Sequence, residues 1–223
     1  MKFEEFENTV RALLPEVTDE AVGRFRRMDE LYRDWNSKIN VISRKDIDNL
    51  YDHHILHSLG IALYMRLREP ETYMEWLSGG SVRVLDLGCG GGFPGIPLAA
   101  FFSNTNFVLC DSIGKKITVA REVASSLGLE NVECVNDRAE NLNGSFDFIV
   151  SRAVTSLENF LPWVKGKFKR EVLCLKGGDL AEETAKAMGR FNLSKGSVSV
   201  WPLSSVLHDG YFDGKTVVAV TRF

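Results

Sequence analysis

Apolar residues recur every three or four positions through the first third of the chain. Phe3, Phe6, Val10, Leu13 and Leu14 form one stripe, ended by Pro15; Val22, Phe25, Met28, Tyr32, Trp35 and Ile39 form a second, behind Thr18, a good helix cap. A third stripe, with Ile47, Leu50, His54, Ile55, Leu59 and Leu63 facing inward, predicts one helix from about Asp46 to Arg68. Amphipathic helices need a surface to cover. Residues 1–80 are therefore read as a helical extension packed on the domain that follows, with Gly79-Gly80-Ser81 as the boundary.

From Val82 the period changes. Short apolar runs at Val82–Leu87, Phe107–Cys110, Val132–Val135, Phe146–Val150 and Val172–Leu175 predict strands. Between and after them lie helical stretches at Pro94–Phe102, Lys115–Leu127, Leu157–Val164 and Leu180–Met188. That alternation predicts a doubly wound α/β domain over residues 81–223, with a mostly parallel sheet. Ser197–Leu203 and Thr216–Thr221 read as two closing strands with no helix between them, joined through Asp209-Gly210 and Asp213-Gly214 turns.

Charge changes this picture little. The net charge is −3; residues 1–80 carry 11 Lys and Arg against 15 Asp and Glu, and the remainder 16 against 15. Any nucleic-acid surface must be a local patch. Cys89, Cys110, Cys134 and Cys174 are too widely spaced for a zinc site or a disulfide framework. No charged-then-apolar leader or membrane-length apolar run occurs, which predicts a cytoplasmic protein with no membrane partner.

The sharpest local signal is Asp86-Leu87-Gly88-Cys89-Gly90-Gly91-Gly92-Phe93, between the first strand and a helix that Pro94 and Pro97 help to start. Asp111 ends the second strand, where a carboxylate can accept hydrogen bonds from ribose hydroxyls. Together they predict a nucleoside cofactor at the carboxyl edge of the sheet. A dinucleotide loop would need glycine where Phe93 stands. The acidic-x-Gly-x-Gly-x-Gly spacing of Asp86, Gly88, Gly90 and Gly92 instead fits S-adenosylmethionine. A nicotinamide enzyme, a methyltransferase of a small molecule or protein, and a non-catalytic RNA-binding module stay open on this evidence.

The continuation Asp86–Ala99, with Phe-Pro-Gly-Ile-Pro, resembles the signature loop of the GidB family of bacterial small-subunit ribosomal RNA guanine-N7 methyltransferases. Asn40–Leu59, Asp111–Arg121, Ser151-Arg152-Ala153 and Leu175-Lys176-Gly177 match in order, so the resemblance covers nearly the whole chain. It implies a class I S-adenosylmethionine methyltransferase fold with an N-terminal helical extension. It also implies methyl transfer to guanine N7 of 16S rRNA, in naked RNA or a ribosomal particle. A monomer is expected. Gly88 and Phe93 stand where the family contacts cofactor, Ala139-Glu140 near the adenine, and Arg152 at a cofactor-binding arginine. Cys89 departs from the Thr or Ser common in the family loop, and His57 from an acidic residue.

Guanine N7 carries a free lone pair, so the implied reaction needs alignment and exclusion of water but no general base. After the fourth strand stands Ser151-Arg152-Ala153-Val154, not the Asn/Asp-Pro-Pro-aromatic clamp of amino-group methyltransferases; no cysteine is placed as a C5 nucleophile. Arg152 is read as an anchor for the cofactor carboxylate or an RNA phosphate. Lys115, Lys116, Lys176 and Arg44 are candidates for RNA contact, which would make binding fall with salt. His54 is read as a buried hydrogen-bonding residue or a substrate contact. His53 and His57, four apart, lack the further ligands a metal needs. The run Lys165, Lys167, Lys169, Arg170 is read as a solvated loop, and the four tryptophans as packing residues.

Overall fold

The computed structural model describes residues 1–142, 144–221 and 223. Helices α1 (Phe3–Leu13) and α2 (Asp19–Lys38) form where the first two stripes predict them; the Thr18 side chain accepts the Ala21 N–H at 3.1 Å and caps α2. The third stripe is not one helix. It runs as a 3-10 turn, a π-helical stretch Leu50–Leu56, and α3 (His57–Arg68). A stripe of apolar residues three or four apart does not show where the hydrogen bonding changes from one helix type to the next. A further helix, α4 (Pro70–Ser78), escapes the sequence reading, and its Trp76 lies edge-on to Phe102, Phe107 and Phe148.

The described residues form seven strands, β1 (Arg83–Leu87), β2 (Asn106–Asp111), β3 (Val132–Asn136), β4 (Phe146–Arg152), β5 (Phe168–Gly177), β6 (Val198–Pro202) and β7 (Lys215–Thr221). Their order is β3-β2-β1-β4-β5-β7-β6. The first five are parallel; β7 runs antiparallel between β5 and β6, so the closing pair adds to the sheet through its last strand. Chain order reverses beside β1, where the next strand on one side is β2 and on the other β4. Such a switch opens a crevice at the carboxyl ends of the strands.

Alternate residues of each strand face opposite layers. Val84, Phe107, Phe148 and Leu173 join one apolar cluster with Phe25, Leu59 and Trp76 of the extension and residues of α5 (Gly95–Phe101) and α6 (Gly114–Ser126). Leu85, Val108, Ile149 and Val172 face α7 (Leu157–Val164) and α8 (Ala181–Phe191). Residues 1–80 thus share a continuous core with the sheet. The basic run is only partly a loop: Lys169 and Arg170 already belong to β5, paired with Asp147 and Glu75. Those ion pairs fix α4 and β4 to the start of β5.

Candidate active site

The glycine loop after β1 is held by its neighbours. The N–H groups of Gly88 and Cys89 donate to the Cys110 carbonyl at 2.8 and 3.2 Å, and the Gly90 N–H donates to Asp111 Oδ2 at 2.8 Å. The other Asp111 oxygen accepts the Ile113 N–H at 2.8 Å. The carboxylate expected to accept from ribose hydroxyls also ties loop, strand end and the entry to α6 together. Gly90 has φ +56°, and a Cβ there would meet nothing within 4 Å, so the loop backbone borders open space.

That space is a cavity of about 640 Å³, within the range of cofactor sites. Of the residues expected to bind cofactor, Gly88, Gly90, Phe93, Asp111, Ala139, Glu140 and Arg152 line it. Lys116 reaches its wall and Lys115, exposed beside it, does not. Asp86 is the exception among the cofactor candidates. It is fully buried off the cavity wall, and its Oδ2 accepts the Gly95 N–H at 2.7 Å. Burial raises its pKa to about 7, opposed by that hydrogen bond and by Arg152. Asp86 supports the loop-to-helix turn from beneath.

Sequence reasoning missed several wall residues, among them Val41, Ile113 and Trp163. Val41, between α2 and the π-helical stretch, presses on Gly91, where a Cβ would come within 2.7 Å of it. Ile113 stands at the cavity with 42% of its surface exposed, an apolar face for a flat ring. Trp163 packs on Phe160 as expected of a packing residue, yet also borders the cavity. None carries a sequence signal, because each acquires its place through folding. Tyr32 was read only as part of a helix stripe; its buried hydroxyl donates to the Gly91 carbonyl at 2.9 Å and its ring lies 4.7 Å from Phe93.

A second cavity, of about 500 Å³, adjoins the first; Arg152 and Ala153 line both. Arg152 ends β4 with Nη2 3.1 Å from His54 Nδ1, Nη1 donating to the His53 carbonyl at 3.3 Å, and its guanidinium 4.9 Å above the Phe93 ring. Among the described residues it forms no ion pair, and burial lowers its pKa. An arginine held this way by neutral groups keeps its charge available for an anionic group. Ala153 has φ +51°, a strained conformation for a residue with a side chain, at the junction of the two cavities.

His54 is buried, as the apolar stripe predicts, and lines the second cavity. Because a guanidinium only donates, Nδ1 of His54 accepts and Nε2 carries the proton toward Asp46 at 2.8 Å. Burial, and next the Arg152 cation, lower its pKa to about 4. His57 is buried against the Tyr211 hydroxyl at 3.2 Å, and the same causes take it to about 3. His53 stacks on Tyr211 with ring centroids 3.6 Å apart. Lys176 also lines this cavity, but its charge is engaged by Glu183 at 2.8 Å and by the Thr155 carbonyl. Arg44 is exposed and borders neither cavity. It extends from the Ile39–Asp46 connection, whose Val41 borders the first cavity and whose Asp46 borders the second.

A profile of the family described as rRNA small subunit methyltransferase G matches residues 24–206. The chain belongs to that family. It is 47% identical over 212 residues to the ribosomal RNA small subunit methyltransferase G of Flavobacterium johnsoniae, covering 92% of each chain. To that of Christiangramia forsetii it is 46% identical over 217 residues, covering 94% of each. Among solved structures it is similar to magnesium protoporphyrin IX methyltransferase from Synechocystis PCC 6803 with bound SAM, at TM-score 0.59 and 12% identity, covering 92% of this chain and 98% of that one. It is also similar to a ribosomal protein L11 methylase from Lactobacillus delbrueckii subsp. bulgaricus, at TM-score 0.52 and 18% identity, covering 75% and 76%. The family member's sheet, with its mostly parallel strands and antiparallel closing pair, is that of the class I S-adenosylmethionine methyltransferases. None of its helices is long and apolar enough, among the described residues, to cross a membrane.

Proposed function

We infer that this chain is an enzyme that methylates N7 of a guanine in small-subunit ribosomal RNA, using S-adenosylmethionine bound against the glycine loop. The observation that carries the reading is the pair of cavities meeting at Arg152 and Ala153, one bordered by the glycine loop and the other by polar and charged groups. The family's name supplies the substrate class. The open space at Gly90, the apolar face of Ile113 and the Arg152 cation fit the ribose, adenine and carboxylate of the cofactor. When bound, S-adenosylmethionine supplies an electrophilic methyl group.

The protein's own contribution is alignment. His54 offers no free base at the junction, because its Nδ1 lone pair accepts from Arg152. Burial pushes the Cys110 and Cys134 thiols up to about 11 and Cys174 to about 12, so no thiolate stands ready as a nucleophile. A reaction at N7 needs neither. Arg152, braced by His54 and Phe93, orients an anionic group, and the extension closes the loop side through Tyr32 and Val41, limiting water. We take Arg44, Lys115 and Lys116 as candidates to meet the RNA backbone. We take the protein to act as a monomer in the cytoplasm, on rRNA or a ribosomal particle.

The test compares small-subunit rRNA from cells with and without the gene by mass mapping. Loss of one methyl from a guanine is expected; identical maps would refute the reading. Calorimetry should show binding of S-adenosylhomocysteine and none of NAD.

A further inference from the structure

The second cavity carries a pattern of donors and acceptors that neither the family name nor the glycine loop explains. Lys176 and Glu183 line it together. Leu175 pairs with Arg152 across β4 and β5, so Lys176 lies one residue beyond the junction of the cavities. Its ammonium donates to the Thr155 carbonyl and pairs with Glu183 Oε1 at 2.8 Å, and its side chain is only 10% exposed. The same Glu183 oxygen accepts the Leu157 N–H at 2.7 Å, at the start of α7. Strand β5 and the first turns of two helices therefore fix this ion pair in place.

An ammonium has three donors, and two are engaged here. A carboxylate has about four acceptor positions, and the interactions above take two. The pair thus presents, side by side on the cavity wall, one remaining donor and further acceptor capacity. Along its Watson–Crick edge guanine presents the O6 acceptor followed by the N1–H and N2–H donors. Adenine presents the reverse in the first two places, an N6 donor followed by the N1 acceptor. With N7 turned toward the junction at Arg152 and Ala153, O6 comes next and the N1 and N2 donors lie deeper in the cavity.

We propose that Lys176 and Glu183 are the specificity residues that read the target base as guanine, Lys176 donating to O6 and Glu183 accepting from N1–H and N2–H. This rests on the function inferred above and adds the site that selects the base. It also explains why Lys176 is neutralised by a partner: a base edge needs directed hydrogen bonds, whereas a phosphate needs net charge. A base placed wrongly would leave the pair's remaining donor and acceptor positions unmet, which is how a polar site rejects near-isosteres.

The experiment uses reconstituted small-subunit particles carrying either guanosine or inosine at the nucleotide the wild-type protein methylates. Inosine keeps N7, O6 and N1–H and lacks only the N2 amino group. Wild type should show kcat/KM lower by about tenfold or more on inosine, the size of a lost hydrogen bond to a charged group. Glu183→Gln should lower the guanosine rate and bring the two substrates to nearly equal kcat/KM, with S-adenosylhomocysteine affinity unchanged. Equal wild-type rates on the two particles would overturn the proposal, and so would a Glu183→Gln protein that keeps the full preference. The wild-type comparison needs no variant, so it stands even if Glu183→Gln does not fold. Failure of wild type to methylate the guanosine particle would overturn the inferred function itself, and this proposal with it.

Discussion

Nη2 of Arg152 lies 3.1 Å from Nδ1 of His54, joining the end of a central strand to the π-helical stretch of the N-terminal extension. Ninety-eight positions separate them in the chain. The contact sets the histidine tautomer and aims the guanidinium across Phe93 at the junction of the two cavities. The extension is thus part of the site.

Removing that cation should affect binding before chemistry. Arg152→Ala is expected to weaken S-adenosylhomocysteine or RNA binding about 10- to 100-fold, the worth of a charge-assisted hydrogen bond. Single-turnover rates at saturating ligand should change much less. A collapse of that rate with both affinities intact would show that Arg152 acts on the chemical step.

Tyr32 braces the loop from the extension. Tyr32→Phe leaves the buried Gly91 carbonyl without its 2.9 Å donor, at a cost of about 1–2 kcal/mol in urea unfolding. Cofactor affinity should fall as well, because the loop loses its outer support. Wild-type stability and affinity in the variant would mean the contact contributes nothing.

Two loop glycines should respond differently to one methyl group. Gly90→Ala meets open space, so it should fold with a loss of about 1–2 kcal/mol from its left-handed backbone and yet bind S-adenosylhomocysteine about tenfold or more weakly. Gly92→Ala, at φ +111°, would run into Ile96 and should lose more stability than the Gly90 variant. Thermal melts and calorimetry on the two proteins check the order; reversed effects would mean the cavity is not at Gly90.

The buried titratable groups predict pH slopes of opposite sign. His54 and His57 titrate at about 4 and about 3 folded, against an ordinary 6.5, so the unfolded chain binds more protons between those values. Their contribution to stability is full above pH 6.5 and is lost as pH falls toward 4 and below. Asp86, raised from 3.8 to about 7, binds its extra proton in the folded chain; its contribution is full below pH 3.8 and is lost as pH rises to 7. These slopes offset one another in the wild type, so differences carry the information. Relative to His57→Asn, ligand-free wild type should lose stability from pH 6.5 to 4. Relative to Asp86→Asn, it should gain as pH falls from 7 to 4. Urea midpoints across this range test both, and a flat difference for either variant contradicts its assignment.

The sequence by itself determined the strands, the glycine loop and part of the first cavity's wall. Short apolar runs and the spacing from Asp86 to Phe93 are local, and a parallel sheet carries local strand ends such as Asp111 and Arg152 to one edge. What α4 covers, the break of the third stripe into π and α turns, and the withdrawal of Asp86 beneath the loop were decided by packing, which periodicity does not encode. Only the tertiary structure could pair Lys176 with Glu183, press Val41 on Gly91 or set Tyr32 against the loop. The last two contacts join elements distant along the chain and the first joins a strand end to the helix that follows it; in each, a side chain's role follows from the partner it meets.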